Sequence, residues 1–327
     1  PEMVFDVARN FGEVVGQKAD DMHRQQSATH DSSRSFAVIT DSGADICDED
    51  MERLDIHMVP CRIQFGDRGY LDKVSITTEE FYDELSNNPH HPTTSQPAPG
   101  DFRRQFQFLA SHFTDVVSIN LTSGASGTYQ GAVSATRRCN APGQIHVVDS
   151  LNASMGQGQL AVFAAECAAA GISVEDTLKL IETQIPKTKT FALLKDMRYA
   201  VRGGRLPKWV KTIGGFLRLM PIIRVTKDGR VGLAGSLFGY RNRITRFGRY
   251  VASKIPAGES VEIGIGQAIC PEDAEELAQV IRDEVPLISA LKISSLGTAI
   301  GVHGGPGTLI VSFRPSVSAD DVSVSID

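Results

Sequence analysis

Phe36-Ala37-Val38-Ile39-Thr40-Asp41-Ser42 is a short apolar run that stops abruptly on an aspartate and a serine. Bounded this way, such a run reads as a buried strand. Working outward, the pattern recurs at Ile56 to Pro60, Val116 to Asn120 and Ile145 to Val148. Helical patterns lie between, at Thr78 to Leu85, Gly100 to Leu109, Ser126 to Arg137 and Gly156 to Ala170. Strands alternating with helices predict an α/β fold whose mostly parallel sheet is covered on both faces. Ligands of such sheets bind at the carboxyl ends of the strands. Asp41-Ser42, Leu121 to Thr128 and Asp149-Ser150 all follow strand candidates directly, so Ser, Thr and Asp side chains converge there.

From about Thr188 the pattern changes. Thr190 to Leu194, Ile222 to Thr226, Arg230 to Ala234, Glu262 to Gly266, Leu291 to Ser294 and Leu309 to Phe313 read as strands. Asp228-Gly229 is a hairpin turn signal between two of them, and Arg241 to Lys254 and Asp273 to Asp283 read as helices. A smaller α+β domain follows the α/β domain. At the other end, Val4, Phe5, Ala8, Phe11, Val14 and Val15 recur at helical spacing ahead of a polar stretch, Arg24 to Ser35. The expected organisation is an N-terminal helical arm and linker over 1–35, an α/β domain over 36–187 and an α+β domain over 188–327. The arm leaves two readings open, a native extension or the trailing end of an upstream domain.

The chain has 327 residues, enough for one large or two moderate domains. Its longest apolar runs, such as Ala161 to Ala170, are broken by Glu166 and are too short to span a membrane. Nothing in the first residues resembles a signal peptide. The five cysteines are scattered, with no CxxC or Cys/His ligand spacing, so reduced thiols are expected and a zinc or other metal site is not. A cytoplasmic protein that does not span a membrane is the expectation. Between Lys195 and Tyr250 fourteen Lys/Arg stand against Asp196 and Asp228, a local balance of +12 in a chain of net charge −6. Such a block reads either as a surface for an anionic partner or as solvated helix faces.

Three stretches carry chemistry. Thr94-Ser95-Gln96-Pro97 lies in a proline-flanked loop, Ser123 to Tyr129 between a strand and a helix, and Val302-His303-Gly304-Gly305-Pro306-Gly307 near the end. Small hydroxyls and free backbone N–H groups at a helix start suit an anion, and imidazole can donate to one. Plainer readings exist for each: turn chemistry at Thr94-Ser95, an N-cap at Ser126 and a structural donor at His303. Gly156-Gln157-Gly158-Gln159-Leu160-Ala161 matches a dinucleotide fingerprint, with Glu175 and Asp176 near the ribose position, yet its glycines fall inside the helix. Walker, HExxH and nucleophile-elbow patterns are absent. Arg202-Gly203-Gly204-Arg205 opens the basic block and would suit an acidic or phosphate-bearing partner.

In this order, Asp41-Ser42-Gly43-Ala44-Asp45, Thr94-Ser95-Gln96-Pro97, Ser126-Gly127-Thr128-Tyr129-Gln130, Val148-Asp149-Ser150, Gly203-Gly204-Arg205 and His303-Gly304-Gly305-Pro306-Gly307 resemble the DegV family. The match runs from about Phe36 to Phe313. What the resemblance implies is a two-domain fatty-acid-binding protein, the acyl chain buried between domains, serving as the acyl-carrying subunit of a bacterial fatty-acid kinase. Its implied carboxylate site is Thr94, Ser95, Ser126, Gly127, Thr128 and His303. Arg202 and Arg205 would face the kinase, which has a dihydroxyacetone-kinase-like domain. No cofactor is implied, only the bound fatty acid. A DegV part fused to such a kinase domain would explain the arm. One departure is Gly304, where the family usually has threonine.

Two rival functions remain. An autonomous hydrolase or phosphotransferase using Ser126 or His303 would need a base and its orienting partner, which the motifs do not supply. A nucleic-acid module built on the basic block would bind in a salt-sensitive way, yet the chain as a whole is acidic. No nucleic-acid partner is expected.

Overall fold

The structure is a computed structural model that describes residues 34–204 and 219–317. The expected arm helix and Arg205 lie outside these residues. The first half runs β1 (Ala37–Asp41), α1 (Asp48–Arg53), β2 (His57–Val59), β3 (Arg62–Phe65), β4 (Arg68–Leu71), α2 (Thr78–Asn87), β5 (Thr93–Ser95), α3 (Pro99–His112), β6 (Asp115–Asn120), α4 (Thr128–Thr136), β7 (Gln144–Asp149), α5 (Met155–Ala169) and α6 (Val174–Gln184). The second runs β8 (Lys189–Leu193), α7 (Met197–Arg202), β9 (Leu219–Val225), β10 (Val231–Phe238), α8 (Arg243–Ala252), β11 (Val261–Gln267), α9 (Pro271–Glu284), β12 (Ile288–Ser295), α10 (Thr298–Gly304) and β13 (Leu309–Pro315).

Four strands form a parallel sheet in the order β2-β1-β6-β7. Every residue of β1 is buried, as a central strand covered on both faces requires. The pleat alternates: Phe36 and Val38 pack with Leu160 and Ala161 of α5, while Ala37 and Ile39 pack with Phe102 and Phe106 of α3. These elements agree with the sequence pattern to within a few residues. α2 is held at its start by a capping box, in which Thr77 accepts from Glu80 N and the Glu80 carboxylate accepts from Thr77 N.

The second half builds a six-stranded sheet, β10-β9-β8-β13-β11-β12, antiparallel except where β11 meets β12. Its strand count exceeds that of the parallel sheet. α8 and α9 cover one face, burying Ile244, Phe247, Leu277 and Ile281 on Ile263, Val311 and Phe313. The opposite face meets α5. A Cβ on Gly264 or Gly266 would lie within 3.4 Å of Met155 side-chain atoms, so both glycines are close approaches to that helix.

A third sheet, β4-β3-β5, has no clear signal in the sequence. Its strands are three or four residues long, and Thr93–Ser95 carries no apolar residue. With α2 it packs Ile63, Phe65, Phe81 and Tyr82 against Leu296, Val302 and Ile310 of the second half. The chain from 62 to 95 therefore leaves the parallel sheet and returns carrying Thr94.

The β9–β10 turn forms at Asp228-Gly229, with Gly229 at φ +76° and Thr226 N donating to Arg230 O at 2.8 Å. Its tip rests on the loop after β6: Thr122 Oγ1 donates to Gly229 O at 2.9 Å. A Cβ on Gly124 would lie 2.6 Å from the Gly229 carbonyl carbon, where only backbone could yield. Gly124→Ala is therefore expected to cost about 1–3 kcal/mol of stability by overpacking. Urea unfolding checks it, and an unchanged midpoint would contradict this contact.

Candidate functional site

The carboxyl ends of β1, β6 and β7 converge, but their aspartates point into the protein's own backbone. Asp41 Oδ2 accepts from Leu121 N at 2.8 Å, and its Oδ1 accepts from Gly43 N at 3.0 Å. Gln157 Nε2 also donates to Asp41 at 3.0 Å. Asp149 accepts from Ser123 N and Leu151 N, at 3.1 and 3.0 Å. Both ends of the Leu121–Ser123 turn are thereby tied down, and the aspartates shape the loop.

That loop forms one wall of a cavity of about 1030 Å³, a volume that includes the open solvent at its mouth. Leu121, Ala125 and Ser126 face Ala192 of β8, Leu194 just after it and Ile223 of β9, so the space lies between the two sheets. The walls are mostly apolar, and alanines at 125, 153, 192 and 200 leave room where larger side chains would fill it.

Thr94, Ser95, Ser126 and His303, all singled out from the sequence, line this one cavity. Thr94 Oγ1 and His303 Nε2 share a hydrogen bond of 3.1 Å between residues 209 apart. Gly127 lies against the same loop, since a Cβ there would fall 1.9 Å from Gln96 Oε1. α4 begins at Thr128 and its N-cap is Gly127, one residue later than the Ser126 N-cap considered from the sequence. Ser126 Oγ instead accepts from Thr128 N at 3.3 Å and bonds the Thr128 hydroxyl at 2.8 Å. Thr128 is fully buried and supports Ser126 from behind the cavity wall.

Gly304 also lines the cavity. A Cβ there would sit 3.1 Å from Thr308 Oγ1 and Cγ2. Thr308 lines the cavity too and donates to Gly304 O at 2.8 Å, so a neighbouring hydroxyl occupies the region that a threonine at 304 would enter. Gly203 packs on the His303 ring, where a Cβ would fall 2.0 Å from Nδ1. Arg202 is therefore adjacent to a residue that touches the site, and it is exposed.

The basic block is partly neutralised. Arg243 pairs with Asp273, Arg249 with Glu284 at 2.8 Å and Arg198 with Asp196 at 2.6 Å. Gly156 and Gly158 lie within α5 as packing glycines, against Thr190 and Asn152 and against Ala44 O. The dinucleotide fingerprint is thus a helix–sheet contact. Asp176 is taken up by Ser173 and Lys179 at the start of α6. Among the described residues no His/Cys/Asp/Glu group is arranged to hold a metal ion, the five cysteines are free, and no helix is long and apolar enough to cross a membrane.

Residues 35–316 match the sequence profile described as "Uncharacterised protein, DegV family". The chain belongs to the DegV family. A DegV domain-containing protein of Caldanaerobacter subterraneus is 32% identical over 279 residues, covering 85% of this chain and 98% of its own. One from Streptomyces coelicolor is 32% identical over 285 residues, covering 86% of this chain and all of its own. Among solved structures, Bacillus subtilis DegV, described as a fatty acid binding protein, superposes with TM-score 0.77 at 28% identity over 86% of this chain and all of its own. A Thermus thermophilus DegV family protein, described by its fatty acid binding, gives TM-score 0.79 at 25% identity over the same shares. The mixed α/β DegV fold expected from the motifs is the one observed.

Sequence reading did not find the wall opposite Ser126. Ala192, Leu194 and Ile223 sit in ordinary apolar strands, and nothing in the sequence distinguishes cavity from core. Nor did it foresee that burial pushes the Asp41 carboxyl up to about 6, against the pull of its three donors. The folded state therefore binds this proton more tightly than the unfolded chain, so Asp41's contribution is greatest below about pH 4 and is lost as pH rises through 6. Relative to Asp41→Asn, the native chain should lose up to about 3 kcal/mol of unfolding free energy between pH 4 and pH 7. Paired urea titrations read this directly, and a constant difference between the two proteins would contradict it.

Proposed function

We propose that this DegV chain binds a long-chain fatty acid and presents its carboxylate to a kinase for ATP-dependent acyl-phosphate formation. The observation that carries the reading is the Thr94–His303 hydrogen bond on the wall of an otherwise apolar cavity between the sheets. The carboxylate is held by the Thr94 and Ser126 hydroxyls, the Gly127 N–H and His303, with Ser95 and Thr128 supporting them. The fatty-acid binding described for the Bacillus subtilis and Thermus thermophilus relatives supports the choice of ligand.

The energetics suit such a ligand. Each buried methylene contributes roughly 0.8 kcal/mol, so a sixteen-carbon chain supplies about 10 kcal/mol before ordering losses. The carboxylate must shed its water, which is tolerable only with several charge-assisted donors. In the transfer step a carboxylate oxygen attacks the γ-phosphorus of ATP and ADP leaves. The kinase supplies the nucleotide site, and this chain supplies the oriented nucleophile. Its kinase has a dihydroxyacetone-kinase-like domain, separate or fused upstream of residues 1–35, and docks at Arg202 and Arg205. The domain limits proposed are 36–187 and 188–327, the site is cytoplasmic, and no cofactor beyond the fatty acid is needed.

The chain is not catalytic alone on this reading. Ser126 bonds Thr128, and the hydroxyl that His303 meets is that of Thr94, which this reading assigns with His303 to holding the carboxylate. Ser126→Ala and His303→Ala should each fold normally and weaken palmitate binding about 10- to 100-fold, the worth of one hydrogen bond to a charge. Equilibrium binding and phosphoryl transfer with the kinase measure both effects. Unchanged values in both variants would overturn the assignment.

A further inference from the structure

His303 occupies the last turn of α10, a helix whose own N-cap, Gly297, has no side chain to satisfy its first N–H groups. Carboxylates from the other half of the chain do so instead. Asp72 Oδ1 accepts from Thr298 N at 3.0 Å and Oδ2 from Ala299 N at 3.1 Å, across 226 and 227 residues. Asp45 Oδ1 accepts from Gly297 N at 2.8 Å. Both side chains are fully buried. Ordinary helices close this end with a neighbouring Ser, Thr, Asp or Asn, whereas burying two distant carboxylates beside each other is costly.

The surroundings leave α10 no freedom. A Cβ on Gly297 would lie 2.8 Å from Lys73 Cε and 3.1 Å from Asp45 Oδ1. A Cβ on Gly301 would lie 2.6 Å from the Tyr82 hydroxyl, which presses the middle of the helix onto α2. Asp45 Oδ2 also accepts from Ser154 Oγ at 2.7 Å, and Ser154 itself lines the cavity. Ser154 adopts φ 54°, ψ −133°, a strained backbone state for a residue with a side chain, which persists only when its surroundings fix it. Lys73 Nζ stands 3.8 Å from Asp45 Oδ1 and offsets part of the paired negative charge.

We propose that Asp72, assisted by Asp45, is the positioning residue for His303. The two carboxylates fix the start of α10, and the helix carries that register about 8 Å along its axis to the imidazole. Without them the His303 ring no longer meets Thr94. The proposal rests on the reading that His303 touches the fatty-acid carboxylate, and its test separates the two. It also gives a role to the Asp45 of the Asp41-Ser42-Gly43-Ala44-Asp45 motif and to Asp72, which the carboxylate site itself does not use.

The experiment compares palmitate dissociation constants of the full chain with those of His303→Ala, Asp72→Asn and the double variant. His303 ring NMR signals are recorded for the native chain and Asp72→Asn. Asp72→Asn should weaken binding by about as much as His303→Ala, and the double variant should bind no worse than His303→Ala alone, because both remove the same contact. The His303 ring signals should move in Asp72→Asn even without ligand. Native affinity and unmoved ring signals in Asp72→Asn would overturn the proposal, as would losses that multiply in the double variant. Should Asp72→Asn not fold, Asp72→Glu keeps the charge and displaces it by one methylene. A native dissociation constant and unmoved ring signals in folded Asp72→Glu would equally overturn it. If the ring signals move in Asp72→Asn while His303→Ala binds palmitate normally, the positioning stands and the carboxylate reading of His303 fails.

Discussion

α5 lies between two sheets, and the site depends on that placement. Eleven of its fifteen residues are buried, because the helix packs on β1 and β6 on one side and on β11 and β13 on the other. A helix in such a place cannot show a polar face over much of its length. The sequence meets the constraint with small residues, Gly156, Gly158, Ala161, Ala164, Ala165 and Ala168, all buried. Close packing at this helix fixes the distance between the sheets, and the cavity is the space that remains beside its N-terminal end, where Ala153 and Ser154 join the wall.

The polar part of the site is assembled on the same logic. Its residues come from three segments that are far apart in sequence, and each is held by hydrogen bonds inward from the cavity. Asp41 and Asp149 hold the loop that carries Ser126. The small sheet β4-β3-β5 delivers Thr94, and α10 delivers His303. Groups that would touch a ligand are thus oriented before it arrives, which lowers the ordering cost of binding.

Much of this was legible in the sequence, for a physical reason. β1 and β6 are apolar runs buried on both sides and β7 is a half-buried edge strand, and their ends carry polar residues that have no business in a core unless they bond the backbone or a ligand. The hydroxyl and glycine stretches around Thr94, Ser126 and His303 stood out on the same ground. What stayed hidden depends on contacts across the chain. β5 contains only Thr93, Thr94 and Ser95, so its strand character comes from pairing with β3. Asp72 is a single aspartate between Tyr70-Leu71 and Lys73-Val74 with no motif around it, and its partners lie more than two hundred residues away. The Gly156/Gly158 pair imitates a nucleotide fingerprint because close helix packing asks for glycine just as a pyrophosphate does. The basic block overstated the free positive charge, since α9 supplies acids opposite α8.

The central claim is that the space between the sheets holds a fatty acid by its carboxylate. Native mass spectrometry of the protein as purified, followed by extraction and identification of what it releases, tests this most directly. The account predicts a stoichiometric mass increment that resolves into free long-chain fatty acid and is replaceable by added palmitate or oleate. A protein that is empty, and stays empty when either acid is added, would contradict it.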